Sequence, residues 1–182
     1  MNNPSRGSFA PMAELPSSPA TPSTFRLRVS IVLLTLSLFG CDHATKAAAE
    51  ASLSRGEAIN LVSGVLELRF TPNPDTAFNL LRTFGIARTP SLLLAASALA
   101  IVGVVAMWIA SRKRASRTEH IGFALVLAGA LGNVVDRAMR GYVVDFIHLT
   151  RWPVFNVADI AVVIGVLLLG LGAISRRRPV AS

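Results

Sequence analysis

Ser91–Ser111 is a run of 21 residues without a charged side chain. About 20 apolar residues cross a hydrocarbon core of roughly 30 Å, so this run predicts a transmembrane helix and makes the chain a membrane protein. Two further apolar segments extend the pattern. Ile121–Val135 ends in Asp136 and Arg137, and Val154–Ser175 carries Asp159 near its start. A fourth, Val29–Cys41, is too short to span alone, so its helix must start near Leu27 and carry Asp42 and Lys46 at its far end. The composition agrees: 52% of the 182 residues are apolar and 15% charged, against roughly 25% charged in soluble chains. The expected fold class is an all-α integral membrane protein with four transmembrane helices, at about 27–47, 90–111, 119–137 and 154–175.

The flanking segments have a different composition. Residues 1–25 hold Pro4, Pro11, Pro16, Pro19 and Pro22 among many serines and predict a disordered cytosolic tail that buries no core. A single membrane domain follows over residues 26–176, with a short basic cytosolic tail over 177–182. Between the first two helices, Val65, Glu67 and Arg69 alternate with Leu66, Leu68 and Phe70. That is the period of a half-buried strand, and it predicts a small extracytoplasmic β element on the membrane surface.

The net charge of +8 raises the possibility of a nucleic-acid partner, but the position of the charges argues against it. Arg112, Lys113, Arg114 and Arg117 form one cluster and Arg176, Arg177 and Arg178 another, each abutting an apolar run. With Arg26 and Arg28 they fall on one side of a four-crossing chain, which the positive-inside rule makes the cytoplasm. Basic residues on the outer side are spread through longer loops that also carry most of the acids. No nucleic-acid partner is expected; membrane lipids are. Cys41 is the lone cysteine and excludes an internal disulfide. His43, His120 and His148 have no metal-ligand spacing, so neither metal nor cofactor is expected.

The orientation gathers ionisable residues at one face. Asp42 and Lys46 end the first helix, Asp136 and Arg137 the third, Asp145 follows in the next outer connection, and Asp159 opens the fourth helix. Such groups at membrane depth are costly and point to function, although helix ends also attract charge. Asp159 fits that plainer reading poorly, because Val157, Ala158 and Ile160 surround it. Two carboxylates in a partly dehydrated site share one proton near neutral pH. The ionised member then takes a proton from water while the protonated member polarises a carbonyl. Residue types alone do not rank Asp145 above Asp136 for that role.

Five blocks occur in order: Asp42-His43-Ala44-Thr45-Lys46, Asn73-Pro74-Asp75-Thr76-Ala77-Phe78, Gly132-Asn133-Val134-Val135-Asp136-Arg137, Val143-Val144-Asp145-Phe146 and Phe155-Asn156-Val157-Ala158-Asp159. Together they resemble lipoprotein signal peptidase, or signal peptidase II, over roughly residues 27–175. The resemblance implies a four-helix bacterial inner-membrane peptidase with a β-cradle on the periplasmic side. It implies an aspartic endopeptidase that removes the signal peptide of a diacylglyceryl-modified prolipoprotein, cutting before the lipidated cysteine, and expected to act as a monomer. It makes Asp145 and Asp159 the catalytic dyad. Asp42, Lys46, Asn73, Asn133, Arg137 and Asn156 would position dyad and substrate, with Gly132, Asp136 and Ala158 as structural support.

The chain departs from the family where Asp75 and Thr76 stand in place of glycine and alanine. Three other readings compete. Leu38-Phe39-Gly40-Cys41 imitates a lipidation signal, Lys46 suggests a serine–lysine peptidase, and polar helix ends occur in transporters. Three further apolar segments oppose the first, Asp42 one turn from Lys46 opposes a free-base lysine, and clustering at one face opposes the third.

Overall fold

The computed structural model describes residues 24–53, 58–74 and 89–177. Among them the chain runs α1 (Thr24–Ser52), β1 (Ala58–Val62), β2 (Leu66–Asn73), α2 (Pro90–Ser111), α3 (Arg117–Arg140), β3 (Val143–Leu149) and α4 (Val157–Arg177). Asp75 and Thr76 lie outside the described residues, as does the proline-rich tail.

Helices α2, α3 and α4 are long and apolar enough to cross a membrane. The 29-residue α1 carries its apolar run, Val29–Cys41, in its first half and Asp42, Lys46 and Glu50 in its second. Helix α3 is the centre of the bundle and packs against α1, α2 and α4, whereas α2 meets α3 alone among the described elements. Small residues set the α3–α4 contact. A Cβ on Gly122 would lie 2.9 Å from the Gly165 carbonyl, and one on Gly129 would overlap the Ala158 carbonyl. Side chains at these crossings would hold the backbones apart. Leu99 and Val102 on α2, with Leu167 and Leu171 on α4, face outward, as lipid contact requires.

The three strands form one antiparallel sheet in the order β1-β2-β3. Phe70, Val144 and Phe146 pack it onto Ala49 and Leu53 at the end of α1. This small core fixes the sheet over the bundle.

Two local features bring the sheet to the helix ends. Gly141 caps α3 with a φ of 78°, its N–H donating to the Arg137 carbonyl at 3.1 Å; only glycine takes that left-handed geometry freely. The chain therefore reverses straight into β3. Past β3 it turns back through Arg151, and Phe155 pairs with Ile147. That pairing keeps Val154 and Phe155 extended, so α4 begins at Val157 rather than near residue 154 as the apolar pattern predicts.

Candidate active site

The first turn of α4 organises the site. The Asn156 Oδ1 accepts from the Asp159 N–H at 3.0 Å, while Asp159 Oδ2 accepts from the Asn156 N–H at 3.2 Å. This is a reciprocal cap built from the two short polar side chains best suited to it. Another free N–H of the same turn, that of Ala158, donates to Asp42 Oδ1 at 3.0 Å. The carboxylate of α1 thus anchors the start of α4.

Asp42 Oδ2 pairs in turn with Lys46 Nζ at 2.7 Å, the i,i+4 contact that their spacing predicts. Lys46 is completely buried, and its ammonium also meets Asp136 Oδ2 at 2.9 Å and Asn133 Oδ1 at 3.0 Å. One hydrogen bond, to Asn133, and two ion pairs thus compensate the buried ammonium, as burial of a charge requires. Gly132 lies directly above this pair: a Cβ there would overlap the Asp42 carboxylate and sit 3.6 Å from the Ala158 Cβ. Gly132 and Ala158 are small because α1, α3 and α4 converge at this point.

Asp145 comes from β3. A register shift between Leu68 and Thr71 sets Thr71 opposite Asp145 and Asn73 opposite Val143. Bulges of this kind re-aim side chains beside sites. Asn73 Nδ2 donates to Asp145 Oδ2 at 2.7 Å, and Asn156 Nδ2 donates to Oδ1 at 2.7 Å. Asn133 completes the set, donating through Nδ2 to Asp159 Oδ1 at 2.9 Å and accepting from Asn156 Nδ2 at 3.2 Å. Asn156 therefore touches both aspartates, and Asn133 ties Asp159 to Lys46.

Asp145 and Asp136 are both buried carboxylates, yet their partners differ in kind. Each Asp136 oxygen meets a cation, Lys46 on one side and Arg140 at 2.9 Å on the other. Among the described residues, the hydrogen bonds to Asp145 come from neutral amides alone. Burial pushes the Asp145 carboxyl up to about 7, the nearby Asp159 charge adds to the rise, and the two amide donors with Lys46 oppose it. A carboxyl poised near neutrality in a cavity has the character of a functional acid.

That cavity has a volume of about 690 Å³. Asn73, Asn133, Arg137, Asp145 and Asp159 supply its polar wall, while Ala100, Phe155, Val162 and Val163 supply apolar surface from α2, the β3–α4 connection and α4. Nearly all residues singled out in the sequence thus meet at one end of the bundle. Arg137 lines the cavity itself, whereas Lys46 and Asp42 stand behind it. Sequence reasoning missed Arg140, the second partner of Asp136. Its spacing of four from Asp136 was a readable signal, overshadowed by the adjacent Arg137.

A family model described as signal peptidase (SPase) II matches residues 34–175. The lipoprotein signal peptidase of Pelotomaculum thermopropionicum is 38% identical over 141 residues, covering 78% of this chain and 85% of that protein. The protein of the same name from Rhodococcus jostii is 36% identical over 159 residues, or 84% and 76% of the two chains. In Geobacter sulfurreducens the corresponding values are 31% over 159 residues, 85% and 96%. A solved bacterial membrane enzyme superposes with a TM-score of 0.71 over 84% of this chain and 94% of its own, at 23% identity, and so shares the fold.

Proposed function

The chain belongs to the signal peptidase II family, and from that premise we propose that it is an aspartic endopeptidase with Asp145 and Asp159 as its catalytic pair. One observation carries this reading: Asn156 joins the two carboxylates, and both line one cavity. The pair keeps one proton near neutral pH, and Asp145 holds it. Asp159 takes a proton from a water molecule as the water oxygen attacks the scissile carbonyl carbon. Asp145 donates its proton to the carbonyl oxygen, giving a neutral gem-diol. As the diol collapses, Asp145 takes back a hydroxyl proton, the C–N bond breaks, and the proton held by Asp159 leaves on the amine, so the pair ends with its single proton restored. Asn73, Asn133 and Asn156 hold both acids without adding charge that would favour one protonation state.

The substrate we propose is a prolipoprotein already carrying diacylglycerol, cut before its lipidated cysteine. The apolar cavity wall supports this, as does the separation of α2 from α4. No Cα of one lies within 8 Å of a Cα of the other among the described residues, which leaves a lipid-bearing segment a lateral route from the bilayer to the acids. Arg137 on the same wall suits a peptide carbonyl or an acyl ester oxygen. The reading includes α1 as a fourth span, since its charges face Asp136, Asn133 and α4 rather than lipid. Both termini are then cytoplasmic, the dyad faces the periplasm, and the enzyme works as a monomer.

The test is cleavage of a purified diacylated prolipoprotein by wild type, Asp145→Asn and Asp159→Asn. Both variants should insert normally and lose turnover by about three orders of magnitude or more. Near-normal turnover in either would sink the dyad.

A further inference from the structure

Two carboxylates, Asp42 and Asp136, compete for the one buried ammonium of Lys46. The cluster would carry a net negative charge in a dry interior, a costly state, but for a second cation. Arg140 supplies it. One guanidinium nitrogen meets Asp136 Oδ1 at 2.9 Å, and the other reaches Glu50 Oε2 on α1 at 3.2 Å. The Arg140 side chain is 29% exposed and that of Glu50 43%, whereas Asp136 is 1% exposed and Lys46 wholly buried. Charge thus alternates inward from solvent: Glu50, Arg140, Asp136, Lys46, Asp42. At Lys46 the chain passes to Asn133 and then to Asp159.

We propose that Arg140 is a positioning residue for the reaction: by neutralising the outer oxygen of Asp136, it leaves the Lys46 ammonium to hold Asn133, and through it Asp159, in line with Asp145. Glu50 orients the guanidinium from the adjoining helix. This rests on the aspartic mechanism proposed above and adds a device to it. The balance of the dyad is set from a partly exposed arginine four links from Asp159, one that touches neither the cavity nor either catalytic acid.

Coulomb interaction gives the device a signature that packing lacks. Among the described residues, the charged groups around the dyad are Asp42 and Lys46 from α1 and Asp136 and Arg137 from α3. Removing the positive charge of Arg140 leaves the network one charge more negative, which favours the protonated state of Asp145. Removing the negative charge of Glu50 does the reverse. The two substitutions therefore move the alkaline limb of the kcat/KM profile in opposite directions.

The experiment measures that profile for the full chain in lipid vesicles with diacylated substrate. Arg140→Gln should move the limb upward by about half a pH unit or more and lower turnover about tenfold, and Arg140→Lys should restore both. Glu50→Gln, at an exposed position that tolerates change, should move it downward by roughly a few tenths of a unit. Limbs unmoved in both variants overturn the proposal, as does equal loss in Arg140→Gln and Arg140→Lys at an unchanged profile. If Arg140→Gln does not fold, Glu50→Gln decides alone. Asp145→Asn, run alongside, separates the two readings: activity there defeats the dyad itself, whereas an inactive Asp145→Asn with unmoved limbs defeats only the role of Arg140.

Discussion

Asn156 and Asp159 cap one another, the side chain of each accepting from the backbone N–H of the other at 3.0 and 3.2 Å. The motif that starts α4 is thus also the motif that aims the proposed catalytic aspartate of this helix. The same Asn156 donates to Asp145, so one residue serves helix start and dyad together.

Serine at this position separates the two duties. A serine hydroxyl caps a helix about as well as asparagine but cannot reach Asp145 as an amide donor. Asn156→Ser should keep its melting temperature within a few degrees of wild type and lose about a hundredfold or more in turnover. Asn156→Ala should lose comparable turnover and, in addition, about 1 kcal/mol of stability. Equal activity in Asn156→Ser and wild type would assign the residue to capping alone.

The dyad's charge state sets the expected pH dependence. The Asp145 carboxyl is raised from 3.8 to about 7, chiefly by burial. In the proposed mechanism the active form keeps one proton, so kcat/KM should fall tenfold per unit as pH rises above about 7. Stability follows with its own sign. A carboxyl raised on folding is harmless below its unfolded value and costs stability as pH climbs towards its folded value. Asp145→Asn should therefore match wild type in stability near pH 4 and exceed it near pH 8 by on the order of 4 kcal/mol. A melting-temperature gap that widens towards acid would contradict the assignment.

Much of this site was legible because charge inside apolar sequence is rare. The uncharged Ser91–Ser111 placed the bilayer, and the outer ends of the neighbouring segments then gathered Asp42, Lys46, Asp136 and Asp159 on one face. What separates Asp145 from Asp136 was not legible. The difference lies in partners supplied by other elements: two cations for Asp136, neutral amides for Asp145. Those amides arrive through a register shift in β2 and a reversal after β3, features that depend on pairing between distant strands. The late start of α4 has the same origin, since apolar content cannot distinguish Phe155 in a bridge from Phe155 in a helix.

Lys46 offers a way to part stability from catalysis. Lys46→Met leaves Asp42 buried beside α4 without its cation, and breaking a buried pair costs about 3–5 kcal/mol. Adding Asp42→Asn removes the orphaned charge and should recover a large share of that loss. Activity should not recover, because Asn133 still lacks the ammonium that orients it towards Asp159. Thermal melts and turnover on the single and double variants check both halves. Joint recovery would make the network purely structural.

Gly132 is where packing and chemistry are least separable. A methyl group there would meet the Asp42 carboxylate, and α3 cannot recede to make room, because Gly129 one turn earlier already lies against the Ala158 carbonyl. Asp42 must move, and it then gives up either the Ala158 N–H or the Lys46 ammonium. Overpacking of this kind costs about 1–3 kcal/mol, so Gly132→Ala should melt several degrees lower and lose turnover as α4 shifts. Gly170 on α4 is the control: a Cβ there meets nothing within 4 Å, and alanine in a helix interior is favoured over glycine by roughly 0.5–1 kcal/mol. Gly170→Ala should melt at or above wild type with full turnover. If the two substitutions behaved alike, close approach at Gly132 could not be what couples α1 to the catalytic end of α4.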